Sequence, residues 1–231
     1  MAGRAAPMSD AASLLLALQM GDSAFPSGGF GFSWGLETLK VDGMVIDGAG
    51  VTAFARAQLT RRWASADRPV LRAALAARGD IDVLGRLDRE VEAMSLAVEQ
   101  REGSRRLGRA LVRSHVTLGT PGAAAFQTAQ RDSRLLGHLP VAQGAVWGGA
   151  GLEPDAAEAV SAFTVAAGIG QAAVRLALIG PVEAQAMIAA LRGVIAAVLA
   201  QPCPERPHAF LPAAEIAVMR HEAGDARLFA N

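Results

Sequence analysis

Four histidines, one cysteine and a run of arginines are the side chains here best able to bind a metal, move a proton or hold an anion. His221-Glu222 opens like the helical zinc-protease pattern. The second imidazole of that pattern would stand at position 225, which is Asp225, so no facing pair forms. Cys203 and His208 share a proline-rich loop with four residues between them. They are weak candidates for a metal, since stable sites normally use three or four ligands, and two exposed loop residues are the plainer reading. His115 and His138 have no ligand-like neighbour and are read as hydrogen-bonded structural histidines. No G-x-S-x-G elbow and no cysteine in an activating context is present, so nucleophilic catalysis has no evident carrier.

The glycine-rich stretch GDSAFPSGGFGFSWGLE, residues 21–37, raises the question of phosphate binding. A P-loop needs Gly-Lys, and the chain's only lysine, Lys40, follows a leucine. A dinucleotide fingerprint would need glycine where Trp34 stands, after a strand that is missing. Phe25, Phe30, Phe32 and Trp34 are too apolar for a solvated linker. The stretch therefore reads as an ordered turn that buries rings.

The elements that must position these residues are helices. The chain has 231 residues, is 52% hydrophobic, and balances 22 basic against 22 acidic side chains. That length supports a sizeable core, and zero net charge argues against a general nucleic-acid binder. A single cysteine fits a reducing compartment. The run AASLLLAL after Arg4 reads as a first helix rather than a signal peptide, because Asp10 abuts it and no clean cleavage site follows. The uncharged run Ala159–Val174 falls short of the about 20 residues of a membrane span. Apolar residues recur at helical spacing, as in Val51, Phe54, Ala55, Leu59 and Trp63, while alternating strand patterns are almost absent.

These periods predict an all-α, single-domain bundle spanning 1–231, with residues 1–8 disordered. About ten helices are expected, at 9–20, 33–41, 48–65, 69–78, 80–97, 99–118, 122–130, 139–150, 155–178 and 182–200, with a short one at 213–222. Asp67 and Asp155 are the expected caps of the helices that follow them, and Gly180-Pro181 separates two helices. The small residues of 155–178 predict a helix at the bundle centre or at a subunit interface. The run QREGSRRLGRAL, residues 100–111, has two readings. It is an exposed helix turn laced with ion pairs, or a basic ridge of Arg101, Arg105, Arg106 and Arg109 for an acidic partner.

Four ordered motifs resemble the UreF family of urease accessory proteins. The first is LLLALQMGDSAFPSGGFGFSWGLE, with Pro26, Gly28, Phe30, Ser33, Trp34 and Glu37; QREGSRRLGRAL supplies Arg101, Glu102, Ser104 and Arg109. HLPVAQGAVWGGAGLE is the third, and the ending HEAGDARLFAN, with His221, Glu222, Arg227, Leu228 and Phe229, is the fourth. The chain departs from the family's pattern at Phe32, where Tyr is common, at Pro181 and at Asn231. The resemblance implies a cytoplasmic, all-helical homodimer without catalytic residues. It implies a scaffold linking UreD (UreH) and the GTPase UreG, and regulating that GTPase while nickel enters the urease apoprotein. The residues just named would be its partner contacts, with residues 225–231 as a partner-binding tail. No cofactor is expected to bind stably, nickel being handled by the complex. The alternative is a stand-alone nickel metallochaperone using Cys203 and His208.

Overall fold

The computed structural model describes residues 7–28, 32–221 and 228–229, with the side chains of residues 7–10 and His221 outside that description. Among the described residues the chain is all-helical, as the periodicity predicts. The helices are α1 (Pro7–Gly21), α2 (Leu36–Val41), α3 (Gly48–Gln58), α4 (Arg68–Ala76), α5 (Ile81–Met94), α6 (Val98–Thr117), α7 (Ala123–Arg131), α8 (Leu139–Gly149), α9 (Pro154–Arg175), α10 (Pro181–Leu199) and α11 (Pro212–His221), with a π-helical stretch at Leu59–Asp67. The first helix begins two residues ahead of its expected start, and residues 1–6 of the expected disordered segment lie outside the described residues.

Two apolar clusters form the core. One joins α2, α3, the π stretch, α9, α10 and α11 around Trp63, Ile169 and Leu191; the other joins α4 to α8 around Phe126 and Trp147. Helix α9 belongs to both, giving Ala162, Ala166 and Ile169 to the first and Ala157 and Val160 to the second. Its alanines and Gly170 let neighbouring backbones approach closely, which explains how one helix can touch so many others. Both α9 and α10 are long and apolar enough to cross a membrane by length and composition; α9 is more than half buried inside the chain, whereas most of α10 faces outward.

Two expected caps are absent, for physical reasons. Asp67 was expected to start a helix, but its backbone is helical and its side chain caps nothing. The chain instead runs on through π turns into α4. Pro69, in the first turn of α4, has no N–H with which to extend that ladder. The backbone N–H of His208 donates to the Ser65 carbonyl at 2.9 Å, docking the proline-rich connector against the π stretch. Asp155 likewise caps nothing, because Pro154 already occupies the first turn of α9 and Asp155 follows within it. There its charge still favours the positive end of the helix. Gly180-Pro181 behaves as expected, with Pro181 opening α10 and the Glu183 carboxylate accepting the Gly180 N–H at 2.6 Å.

Candidate partner-binding face

Helix α6 carries the arginine run, and its two glycines decide which face turns inward. A Cβ on Gly108 would lie 2.0 Å from the Gly137 carbonyl oxygen, and one on Gly103 would lie 2.5 Å from the Phe32 ring. Only glycine admits α8's lead-in loop and Phe32 at these distances. The arginines then divide. Arg101 turns back to the α5–α6 turn, where it donates to the carbonyls of Ser95 (2.6 Å) and Leu96 (2.9 Å) and pairs with Glu92 at 3.4 Å. Arg105 pairs with the same carboxylate at 3.3 Å. Ser104 is buried and accepts the Leu139 N–H at 3.0 Å. Arg106, Arg109 and Arg113 instead share the exposed face with Glu102, and Arg106 lies 4.5 Å over the Phe32 ring. Arg113 did not stand out in the sequence, although positions 106, 109 and 113 have the spacing of one helical stripe.

The inner face of α6 meets a polar network of which the sequence gave little warning. Both oxygens of Asp88 accept three consecutive backbone N–H groups, from Leu136, Gly137 and His138, at 2.8–2.9 Å. His138 is fully buried, and its Nε2 lies 2.8 Å from Glu92. His115 is also buried, with Nδ1 2.8 Å from the Thr120 hydroxyl and its ring 5.4 Å from Phe25. Both histidines are structural and hydrogen-bonded, as the sequence suggests.

Burial pushes the His115 imidazole below the usual histidine range, and it also lowers His138, against the pull of the nearby carboxylates. A depressed folded value means that the unfolded chain takes up the proton first. The stabilisation from a neutral His115 is therefore complete above the unfolded value of about 6.5 and is lost as pH falls through the folded value. Stability is expected to drop by up to about 1.4 kcal/mol per pH unit for each such histidine below pH 6.5. Urea unfolding at pH 7.5, 6.5 and 5.5 checks this, and His115→Gln should flatten the dependence. An unchanged slope in that variant would contradict the assignment.

The signature turn is packed and strained. Pro26 is exposed, and its carbonyl accepts the Ser114 hydroxyl of α6 at 2.9 Å. Gly28 has φ +79° and lies beside Ala110 and Leu107 of the same helix. Phe30 lies outside the described residues. Ser33 is fully buried, and half-buried Trp34 is held at φ 58°, ahead of Gly35 at φ 88°. A bulky residue in the left-handed region is strained and is retained only where its surroundings hold it. Here Gln58 donates to the Trp34 carbonyl at 3.4 Å, and Phe32 lies 5.8 Å from the indole ring. A groove of about 1120 Å³ opens beside these residues, between α1, α9 and α10, lined by Trp34, Phe25, Trp147 and Phe163.

Glu37 stands in the first turn of α2, nearly buried, and accepts the backbone N–H groups of Leu228 (2.8 Å) and Phe229 (3.2 Å). Phe229 is buried in the chain's own core, with Arg175 4.3 Å over its ring, while Leu228 remains exposed. The side chain of His221, and all of Glu222 and Arg227, lie outside the described residues. Cys203 is half-buried, and burial pushes its thiol up, away from the thiolate a metal prefers. His208 is exposed, and its Nδ1 faces the Arg206 carbonyl at 3.3 Å. Among the described residues no group of three or more His, Cys, Asp or Glu side chains is placed to hold a metal.

The UreF family model matches residues 45–192. The urease accessory protein UreF of Actinobacillus pleuropneumoniae serotype 5b is 31% identical over 220 residues, which cover 92% of this chain and 96% of that protein. The chain belongs to the UreF family. The UreF proteins of Kocuria rhizophila (30% identical, covering 94% of this chain and 97% of that one) and Haemophilus influenzae strain PittGG (29%, 92% and 93%) are similar along comparable lengths. The UreF model takes in α6 and α9 but ends before α11, and it begins after the signature turn. Membership makes this chain a urease accessory protein.

Proposed function

We propose that this chain is a non-catalytic scaffold in the nickel loading of urease, holding UreD and the GTPase UreG and regulating that GTPase. Its near full-length similarity to urease accessory proteins is the observation that supports this reading. The surface is suited to assembly. Leu14, Leu15 and Leu18 of α1 are each more than 60% exposed, an arrangement that favours coverage by another chain. The outer face of α10 exposes Ala186, Ala189, Ala190, Gly193 and Ala197, a smooth helix face that would pack closely against a second copy and so favours a homodimer. The compartment proposed is the cytoplasm. Nickel is the cargo of the complex here, not a resident ion of this chain, and among the described residues the metallochaperone alternative gains no third ligand for Cys203 and His208.

The GTPase-facing ridge is Arg106, Arg109 and Arg113, with Arg109 the residue both sequence and geometry favour. Arg109→Glu and the triple reversal are expected to weaken UreG recruitment about tenfold or more at low salt. The difference should shrink as ionic strength rises, because exposed charges are screened over about 8–10 Å. Arg101→Glu should act differently, lowering the melting temperature by releasing the Ser95 and Leu96 carbonyls. Pull-downs at two salt concentrations, with thermal melts alongside, separate the two. Unchanged UreG recruitment in the triple reversal would remove the ridge from the contact.

A further inference from the structure

The contact between Glu37 and the end of the chain is unusual in what it recognises. A carboxylate with 9% exposure is costly to bury without hydrogen-bond donors. Glu37 finds two in consecutive main-chain amides, those of Leu228 and Phe229, at 2.8 and 3.2 Å. Charge-assisted bonds to backbone grip a peptide whatever its side chains. Arg175, at the end of α9, closes the other side. Its Nη2 donates to the Leu228 carbonyl at 3.4 Å while its guanidinium covers the Phe229 ring at 4.3 Å. Two further ties fix the helices that carry these groups. Asp42 and Arg220 pair α2 with α11, and Lys40, the chain's one lysine, donates to the Leu176 carbonyl at 2.5 Å.

We propose that Glu37 and Arg175 form an intramolecular latch for the Leu228-Phe229 pair, with Phe229 as buried anchor and Leu228 as the side chain held out to the partner. The latch rests on the reading that the tail meets UreD. Glu37 is then a positioning residue, acting on the partner through the tail. Phe229 takes the core at 5% exposure, and Leu228 is left 54% exposed. Val41, which closes the short helix α2 that carries Glu37, and Ile216 of α11, the helix packed on α2, are exposed apolar residues as well. The partner it fits is a protein with an apolar face at this point, since charge reading is already assigned to α6.

The test uses the full chain and carboxypeptidase Y, which digests inward from Asn231, followed by mass spectrometry. Digestion of the wild type is expected to stall at Phe229. Glu37→Ala and Arg175→Ala should each remove the stall, speeding release of Phe229 at least tenfold, and Glu37→Gln, which keeps one acceptor, should lie between. Leu228→Ser should keep the stall yet lose UreD binding tenfold or more. The latch is overturned if both alanine variants, shown folded by circular dichroism, stall like the wild type. It is also overturned if Glu37→Ala binds UreD more tightly, which would make the docked tail a plug, or if Leu228→Ser binds UreD normally. Wild-type protein that stalls but never binds UreD would sink the partner reading and leave the latch itself standing.

Discussion

Deleting residues 225–231 is expected to abolish co-purification with UreD while leaving the helical content intact. The deletion removes Leu228, the exposed apolar residue at the tail, together with Phe229, which anchors it. It also leaves the Glu37 carboxylate without the two N–H groups it accepts. Losing two hydrogen bonds to a buried acceptor is destabilising, so the truncated chain should also melt earlier. Far-ultraviolet circular dichroism, a thermal melt and a pull-down on the same preparation check all three. Retention of UreD at full strength by the truncated protein would end the proposal that the tail is a contact.

Glu158→Ala is expected to be the most destabilising single substitution proposed here. Glu158 is 1% exposed and sits in α9, where it accepts Arg68 Nε at 2.9 Å and Arg72 at 2.6 Å. Arg68 is itself 3% exposed. Its remaining donors close off the end of α10 by bonding the carbonyls of Val198 (2.9 Å), Leu199 (3.3 Å) and Gln201 (3.1 Å). One buried ion pair therefore ties the start of α4 to α9 and to the C-terminal end of α10. Removing the carboxylate leaves a guanidinium buried without its counter-charge, a loss of about 3–5 kcal/mol. For a chain of this size that corresponds to a fall in melting temperature of roughly 10 °C. Glu158→Gln should do less damage, since it keeps one acceptor. Equal melting temperatures for wild type and Glu158→Ala would show that Arg68 finds enough stabilisation in the carbonyls alone.

Much of the fold was legible because its signals are local. The stripe of Val51, Phe54 and Ala55 lies on one face of α3, and Pro181 opens α10 where Gly180-Pro181 said it would. The failures share a different cause. Asp67 carries the composition of a cap, yet the helix runs through it. The Ser65 carbonyl is met by the N–H of His208, 143 positions away, and no local pattern encodes such a partner. The site was legible in composition but not in direction. Arg101, Arg105, Arg106 and Arg109 look alike in the sequence. Gly103 and Gly108, by letting Phe32 and the Gly137 carbonyl approach, decide which of them face out. Leu228-Phe229 was marked as part of a partner-binding tail by resemblance alone. Which surface would cover each ring or methyl group was not readable, and half of that answer lies in the chain's own Glu37 and Arg175. Asp88, which orders the loop before α8 through three amides, is one aspartate in an amphipathic helix and carries no distinguishing spacing.

The central claim is that this chain serves urease maturation as an accessory scaffold, and nickel content measures it most directly. Urease should be produced in cells with the other accessory proteins, with and without this chain, and then purified and assayed for bound nickel and activity. Without the chain the apoprotein should accumulate nearly free of nickel and inactive, even with nickel in excess. Wild type should restore both, the tail deletion should not, and Cys203→Ala/His208→Ala should restore both as well as wild type. Urease that loads nickel and works equally well without this chain would contradict the account.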